Sequence, residues 1–454
     1  MITTLRQAFR LGLTPCLSLT GAGGKSTSLF RLAREFSSPV VLGSTAHLAL
    51  EQAAGADRHF ILRAALDIPD EAADGVSLFT GEDNGKGRWG PVPNDCLLAL
   101  QSLANRLAVP LLFESDGSRC LPVKAWEKYE PPIPDFVDTV VVCAGLSALG
   151  RPLDEKNVFR AQLFAQLSGL SIGETLTPEA LAAVLANPAG GLKNIPPNAR
   201  IICLLNQADT PALQAQAMAL GQMLPGSFSA VVIAALKPGG LPLEVQPCLL
   251  VQNGFKGIHA VLEPAGGVVL AAGGAARMGQ TKLLLPWRGE PLIRHSARTA
   301  LQAGLDPVIV VTGANAPEIS NALEGLPVKL AFNPDWQNGQ STSVKCGLAA
   351  LPPQTGSALF LLGDQPQIPV TLIRALLEKH QTTLAPITCP LIGQQRANPV
   401  LFDRVTFADF SSLTGDSGAR QIFSRYPLDY LPWHDQNLLL DVDTPADFNR
   451  LQQI

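Results

Sequence analysis

The sequence carries little charge, no basic surplus and no long apolar run. Only 16% of its residues are Asp, Glu, Lys or Arg, and 34 basic side chains face 38 acidic ones. A nucleic-acid-binding protein normally shows the reverse, a basic stripe or patch. Hydrophobic residues make up 46% of the chain, enough apolar surface to exclude disorder. The longest uncharged stretch, Thr210 to Leu236, is broken by Pro211, Gly221, Pro225 and Gly226, so a continuous membrane span is not expected. The opening MITTLRQAFRLGLTP is too polar for the apolar core of a secretion signal. The 8 cysteines form no CxxC pair and have no His close behind, which argues against a zinc site or a disulfide framework. The expectation is a soluble, cytoplasmic protein with reduced thiols and neither nucleic-acid nor membrane partners.

What the sequence does have is a repeated alternation. Short β-branched or aliphatic runs (Cys16–Thr20, Val40–Leu42, Leu111–Phe113, Thr139–Cys143, Ile201–Leu205 and Val231–Ala234) are each followed by a longer stretch. A second series comprises Val268–Ala271, Pro307–Val311, Val328–Phe332, Ala358–Leu362 and Pro399–Phe402. Unbroken apolar runs of this length read as strands buried on both faces of a parallel sheet. Helical stretches such as Thr27–Phe36 and Leu292–Ala303 lie between them, so the fold class is α/β. Pro and Gly crowd KPGGLPLEVQ and LEPAGG, as at a domain boundary. Leu249–Val261 reads as a last strand and helix of the first part. The expected division is residues 1–262 and 266–454, joined near Glu263–Gly266.

The sharpest signal is VVLAAGGAARMGQTKLLLPWRGEPLI, a buried strand running into Ala272, Gly273 and Gly274, then Arg277, Gly279 and Lys282. Glycines at a strand's carboxyl end turn the backbone tightly and turn its amides toward an anion. Arg277 grips phosphate oxygens in pairs and Lys282 adds a point charge, so the loop reads as a nucleoside triphosphate site. Downstream, ALFLLGDQPQ ends a strand in Asp364, where an acidic residue faces the ligand crevice and can hold Mg²⁺. In LLLDVDTPAD, Asp441 and Asp443 point the same way in extended chain. Thr444 reads as an N-cap, Pro445 as the first helical residue, and Asp443 as the second metal ligand.

Near the N-terminus, Thr20 to Thr27 reads TGAGGKST: a strand, then Gly21, Gly23 and Gly24, then Lys25 and Ser26 opening a helix. It approximates the phosphate loop GxxxxGK[ST], although Leu19 stands where that pattern has its first Gly. PLLFESDGSRCLPVKAW ends a strand in Glu114 and Asp116, of which Asp116 is the expected metal ligand. Lys124 and Arg160 read as solvated, and His47 as a loop histidine. Asn206-Gln207-Ala208-Asp209 follows a strand but lacks the Lys of a base-reading NKxD.

These motifs carry two resemblances. LAAGGAARMGQTKLLLP, LLGDQP, RANPVLF, LTGDSGAR and DVDTPADF, in that order, resemble the MobA-like nucleotidyltransferase family, and within it the MocA-type molybdenum cofactor cytidylyltransferases. Leu270-Ala271-Ala272-Gly273 and Thr281-Lys282 favour the cytidylyl over the guanylyl branch, which usually reads LAGG and has Asp before the Lys. The family usually has a Ser where this chain has Ala275 or Ala276. TGAGGKST, FESDGSRCLPVKAW, YEPPIP and GRPLDEKNVFR resemble the YqeC-type accessory proteins of selenium-dependent molybdenum hydroxylases.

The resemblance implies a phosphate-loop-like α/β domain followed by a Rossmann-like α/β/α nucleotidyltransferase domain. It further implies transfer of CMP from CTP to the phosphate of Mo-molybdopterin, with Mg²⁺ at Asp364 and Asp443. RANPVLF and LTGDSGAR would then line the pterin side, through Asn398, Asp416 and Arg420. A molybdenum hydroxylase apoprotein, of the xanthine dehydrogenase or aldehyde oxidoreductase type, is the implied partner, and a second nucleotide is implied at Gly21–Ser26. Two readings stay open: a transferase with another acceptor (a sugar phosphate, or guanylyl transfer to molybdopterin), and a non-catalytic chaperone that delivers the cofactor.

Overall fold

The structure, a computed structural model, describes residues 2, 4–71, 74–224, 226–236, 257–274 and 281–454. The chain divides into two compact units, Ile2–Leu262 and Glu263–Ile454. No helix among the described residues is long and apolar enough to cross a membrane.

In the first unit the apolar runs become a nine-stranded sheet. Its strands are β1 (Cys16–Gly21), β2 (Val40–Ser44), β3 (Arg58–Ile61), β4 (Val76–Thr80), β5 (Leu111–Glu114), β6 (Thr139–Gly145), β7 (Arg200–Asn206), β8 (Ala230–Ala234) and β9 (Ile258–Leu262). Their spatial order is β9-β8-β7-β6-β1-β5-β2-β4-β3. Every neighbouring pair is parallel except β8 and β9. All of β2, β4, β5 and β6 is buried, as a sheet covered on both faces requires. The chain leaves β1 toward β2 on one side, and β6 lies on the other. That reversal is a topological switch point at the carboxyl end of β1, the place where such sheets bind ligands.

The second unit is built on a mixed eight-stranded sheet. Its strands are β10 (Ala265–Ala271), β11 (Val308–Thr312), β12 (Lys329–Phe332), β13 (Ser357–Leu362), β14 (Ile387–Ile392), β15 (Gln395–Arg396), β16 (Val400–Asp403) and β17 (Leu428–Pro432). The order is β12-β11-β10-β13-β16-β14-β15, with β17 alongside β14. β10 is central and parallel to both neighbours, whereas β16 runs antiparallel to β13 and β14. β16 is thus a reversed strand rather than a member of a parallel series. A second correction concerns β12, expected to be buried on both faces. It is an edge strand, with Leu330 and Phe332 exposed.

The sheet strands that the apolar runs did not reveal are β3, β4, β9, β14, β15 and β17. β3 is RHFI on an exposed edge, β4 mixes Ser and Thr into its run, and β14 and β17 each contain a proline. Residues 249–256 lie outside the described residues, and 258–262 form β9.

The helix Gln340–Ala349 presents its first residues to the ligand side of this sheet, and its seat depends on a missing side chain. A Cβ at Gly347 would lie 2.3 Å from Val268 Cγ1 and 2.9 Å from Val311 Cγ2. Gly347→Ala therefore forces the helix off β10 and β11. We predict a loss of about 1–3 kcal/mol, or roughly 3–10 °C in Tm, read by calorimetry. An unchanged Tm would show that the helix does not rest on that contact.

Candidate functional sites

In the first unit the loop after β1 is compact because Leu19 is spent on the strand, buried and in register with Glu114 and Val141. The turn is made by Gly21 (φ +97°), Gly23 (φ +79°) and Gly24 (φ +127°), backbone states that side-chain-bearing residues rarely adopt. It also presses on its neighbours. A Cβ at Gly21 would lie 2.2 Å from the Cys143 carbonyl oxygen, and one at Gly23 2.3 Å from the Gly145 nitrogen. Asn206 braces the turn, donating to the Gly23 carbonyl at 2.8 Å while accepting from the Leu236 amide at 3.0 Å. The Asn of the NQAD segment therefore holds the loop.

The helix Lys25–Ala33 follows directly. Lys25 is buried; its Nζ donates to the Gly21 carbonyl at 2.7 Å and lies 3.3 Å from Asp116. Ser26 Oγ donates to Glu114 Oε2 at 2.7 Å and accepts from Gln52 at 2.7 Å. Asp116 is also buried. It accepts from the Gly21 amide at 3.0 Å, Thr20 at 2.8 Å, Trp126 Nε1 at 2.8 Å and Lys124 at 3.0 Å. Burial alone would raise its pKa, but Lys25 and Lys124 outweigh that and hold the carboxyl below its ordinary value. Burial likewise pulls on Lys25, yet Asp116 and Glu114 hold its pKa above normal. Glu114 goes the other way, pushed up mainly by burial.

Two expectations are corrected here. Asp116 was expected to bind metal, but its oxygens are engaged by five donors, so it acts as an internal counter-ion. Lys124 and Arg160 were expected to be solvated. Instead Lys124 is fully buried between Asp116 and Glu130, and Arg160 grips both oxygens of Glu130. Separated in sequence, these charges gave no signal of their pairing. His47 is exposed.

In the second unit β10 ends at Ala271. Ala272 is buried and its carbonyl accepts from the Ala314 amide at 3.1 Å; Gly273 and Gly274 follow, exposed. Arg277 and Gly279 lie outside the described residues. Lys282 opens a short 3-10 turn and ties the end of β13 to the loop before the helix Pro445–Leu451, its Nζ 2.5 Å from Asp364 Oδ2 and 2.9 Å from Asp443 Oδ1. Partial burial would lower the Lys282 pKa, but Asp364 and then Asp443 raise it above normal, so the ammonium persists. Asp441 accepts from Gln365 Nε2 at 2.5 Å; desolvation, then the charges of Asp364 and Asp443, push its pKa up. Thr444 caps the helix Pro445–Leu451 in a reciprocal capping box with Asp447. Among the described residues no three His, Cys, Asp or Glu side chains converge as a ready-made metal site. Two carboxylates at this position still suit Mg²⁺, which takes one or two of them plus phosphate oxygens.

Beside this cluster opens a cavity of about 470 Å³, lined in part by Gln340, Gln365, Arg396, Asn398, Arg420 and Asp441. Phe360 and Phe402 form its apolar wall, meeting edge to face at 5.7 Å. Side-chain amides and guanidiniums over aromatic rings suit a flat heterocycle bearing an anionic group. Asn398 and Arg420, expected on the pterin side, both line this cavity. Asp416 does not line the cavity; it is exposed and packs against Gly339. Gln365, next to Asp364, was missed because nothing marks a lone Gln after a turn. The hydroxyls of Thr342 and Ser343 accept from Asn333, and Gly339 stands at the helix cap.

Comparison with known proteins agrees with this division. Residues 267–430 match the model of the MobA-like NTP transferase domain, and residues 17–162 that of the YqeC protein. The nicotine blue oxidoreductase of Paenarthrobacter nicotinovorans is 33% identical over 195 residues, 41% of this chain and 95% of that protein. YqeC of Escherichia coli, an uncharacterized protein, is 29% identical over 198 residues, 42% of this chain and 75% of that one. The molybdenum cofactor cytidylyltransferase of E. coli is 26% identical over 183 residues, 40% of this chain and 92% of that enzyme. A crystal structure of Rv0371c from Mycobacterium tuberculosis with manganese is 28% identical, with a TM-score of 0.38, and covers 42% of this chain and 98% of its own. The relatives' names differ in the reaction they state, so the match extends to the domain type and not to the acceptor. The chain belongs to the MobA-like NTP transferase family through its C-terminal unit, to which a YqeC domain is fused at the N-terminal side.

Proposed function

We propose that the unit Glu263–Ile454 is a CTP:molybdopterin cytidylyltransferase that supplies molybdopterin cytosine dinucleotide for a molybdenum hydroxylase. The observation that carries this reading is the convergence of Lys282, Asp364 and Asp443 directly beside the polar, aromatic-walled cavity. A triphosphate end and a heterocycle pocket then adjoin through consecutive residues, Asp364 and Gln365. The Leu270-Ala271-Ala272-Gly273 loop and the cytidylyltransferase relative support cytosine over guanine.

In this reaction an oxygen of the pterin's phosphate attacks the α-phosphorus of CTP. The bond between the α-phosphorus and its bridging oxygen breaks, and pyrophosphate leaves. The nucleophile is already ionised at neutral pH, so no general base is needed. The protein's work is alignment and charge neutralisation. Lys282 neutralises phosphate oxygens, and its raised pKa keeps it cationic across the working range. Asp364 and Asp443 would hold Mg²⁺, which supplies Lewis-acid stabilisation of the phosphates. Asn398, Arg396 and Arg420 hold the acceptor's edge and its charge, and the aromatic wall keeps water off its face. A chaperone would have no use for a lysine clamped between two carboxylates.

The deciding experiment is pyrophosphate release by the purified chain with Mg²⁺, Mo-molybdopterin and each nucleotide in turn. Release with CTP only is expected; equal release with GTP, or release requiring a sugar phosphate, would overturn the assignment. Asp364→Asn should lower kcat/KM by about 10²–10³-fold, as loss of a transition-state electrostatic group does. Wild-type turnover in that variant would reject Asp364 as a metal ligand. Arg420→Ala should raise KM for the pterin about tenfold with little change in KM for CTP, the pattern of lost ground-state binding to one substrate. The reverse split would place CTP's base in the cavity instead.

A further inference from the structure

We propose that the unit Ile2–Leu262 binds a magnesium–nucleoside triphosphate at the end of β1. Ser26 and Glu114 are the metal's protein ligands, and Asp116 is an internal stand-in for the phosphates that keeps Lys25 retracted until they arrive. The site is independent of the cytidylyl-transfer reading.

The first argument is an unused row of donors. The amides of Gly23, Gly24, Lys25, Ser26 and Thr27 have no acceptor among the described residues, although Gly23 and Lys25 are buried. Buried amides are almost always paired, so a run of open ones marks a place for an acceptor from outside. They lie at the start of a nine-residue helix whose dipole favours an anion.

The second argument is an open carboxylate oxygen. The Glu114 side chain is only 9% exposed. Its Oε2 takes the Ser26 hydroxyl, while Oε1 takes no hydrogen bond among the described residues and lies 4.0 Å from Lys25. That oxygen can take a second cation besides the Lys25 ammonium, which stands at the outer limit of an ion pair. Ser26 Oγ, occupied by Gln52 and Glu114, keeps one lone pair. Hydroxyl and carboxylate together are a hard oxygen pair of the kind Mg²⁺ takes beside phosphate oxygens. Asp116 cannot serve, since Thr20, Gly21, Trp126, Lys124 and Lys25 already surround it.

The third argument is the posture of Lys25. Its ammonium turns back on its own loop, to the Gly21 carbonyl and Asp116. A lysine at this place in a glycine loop meets the β- and γ-phosphates. A ligand with both a terminal phosphate and a bridged metal satisfies the amides, the lysine and Glu114 at once; free phosphate does not, and a nucleoside triphosphate is the polyphosphate we propose.

Binding of ATP, GTP and CTP to the full chain, carrying Lys282→Ala to weaken the second site, tests this by equilibrium dialysis with magnesium and with EDTA. At least one nucleotide should bind, at least tenfold more tightly with magnesium. Lys25→Ala should weaken binding by tenfold or more. Glu114→Gln, a near-isostere, and Ser26→Ala should each abolish the magnesium-dependent gain while leaving the EDTA value in place. Asp116→Asn should lower the Tm yet keep the magnesium dependence. The proposal is overturned if no nucleotide binds above the Lys25→Ala level. It is equally overturned if Glu114→Gln and Ser26→Ala retain the magnesium gain, or if Asp116→Asn alone loses it.

Discussion

Carboxylates placed at the ends of buried strands must be neutralised from within the protein whenever no ligand does it, because desolvating a lone charge costs several kcal/mol. Both units meet this constraint with a lysine from the glycine loop or just after it. Lys25 stands against Asp116 and Glu114, and Lys282 against Asp364 and Asp443. The same constraint explains why the lysines keep raised pKa values in spite of burial. An ammonium that left its carboxylate would leave two uncompensated charges behind.

The two solutions differ in depth. In the first unit the pair sits inside the sheet's edge, and the charge is relayed outward: Asp116 to Lys124, Lys124 to Glu130, Glu130 to Arg160. In the second, Lys282 and Asp443 are partly open to solvent, and the neighbouring cavity is broad and walled by Phe360 and Phe402. A deep, saturated counter-ion suits a loop that must hold its shape. A shallow one suits a site that admits two substrates side by side.

Much of this was legible in the sequence because the chemistry lies in contiguous motifs. A strand ending in Gly21–Ser26, a strand ending in Asp364, and the Thr444-Pro445 helix start each carry a local signature, and each sits where that signature implies. The central strands were legible too, since burial on both faces leaves nothing but aliphatic residues. The edge strand β3 was not: two of its four residues are exposed and the pattern is lost, whereas β12 was legible as a strand but not as an exposed edge. What the sequence concealed is side-chain pairing that no local motif marks. Lys124 looks like any surface lysine until Asp116 and Glu130 close around it, and Asn206 looks like a turn residue until its amide reaches Gly23 across 183 positions. The choice between Glu114 and Asp116 is of the same kind, decided by which oxygens their neighbours leave open.

Asn206 has a mechanical meaning as well. One side-chain amide spans two backbones, clasping the glycine turn with its nitrogen and the exit of β8, at Leu236, with its oxygen. The two segments are therefore geared together. Any displacement of the chain as it leaves β8 is transmitted to the turn, and any tightening of the turn is felt three strands away from β1 as a tug at Leu236.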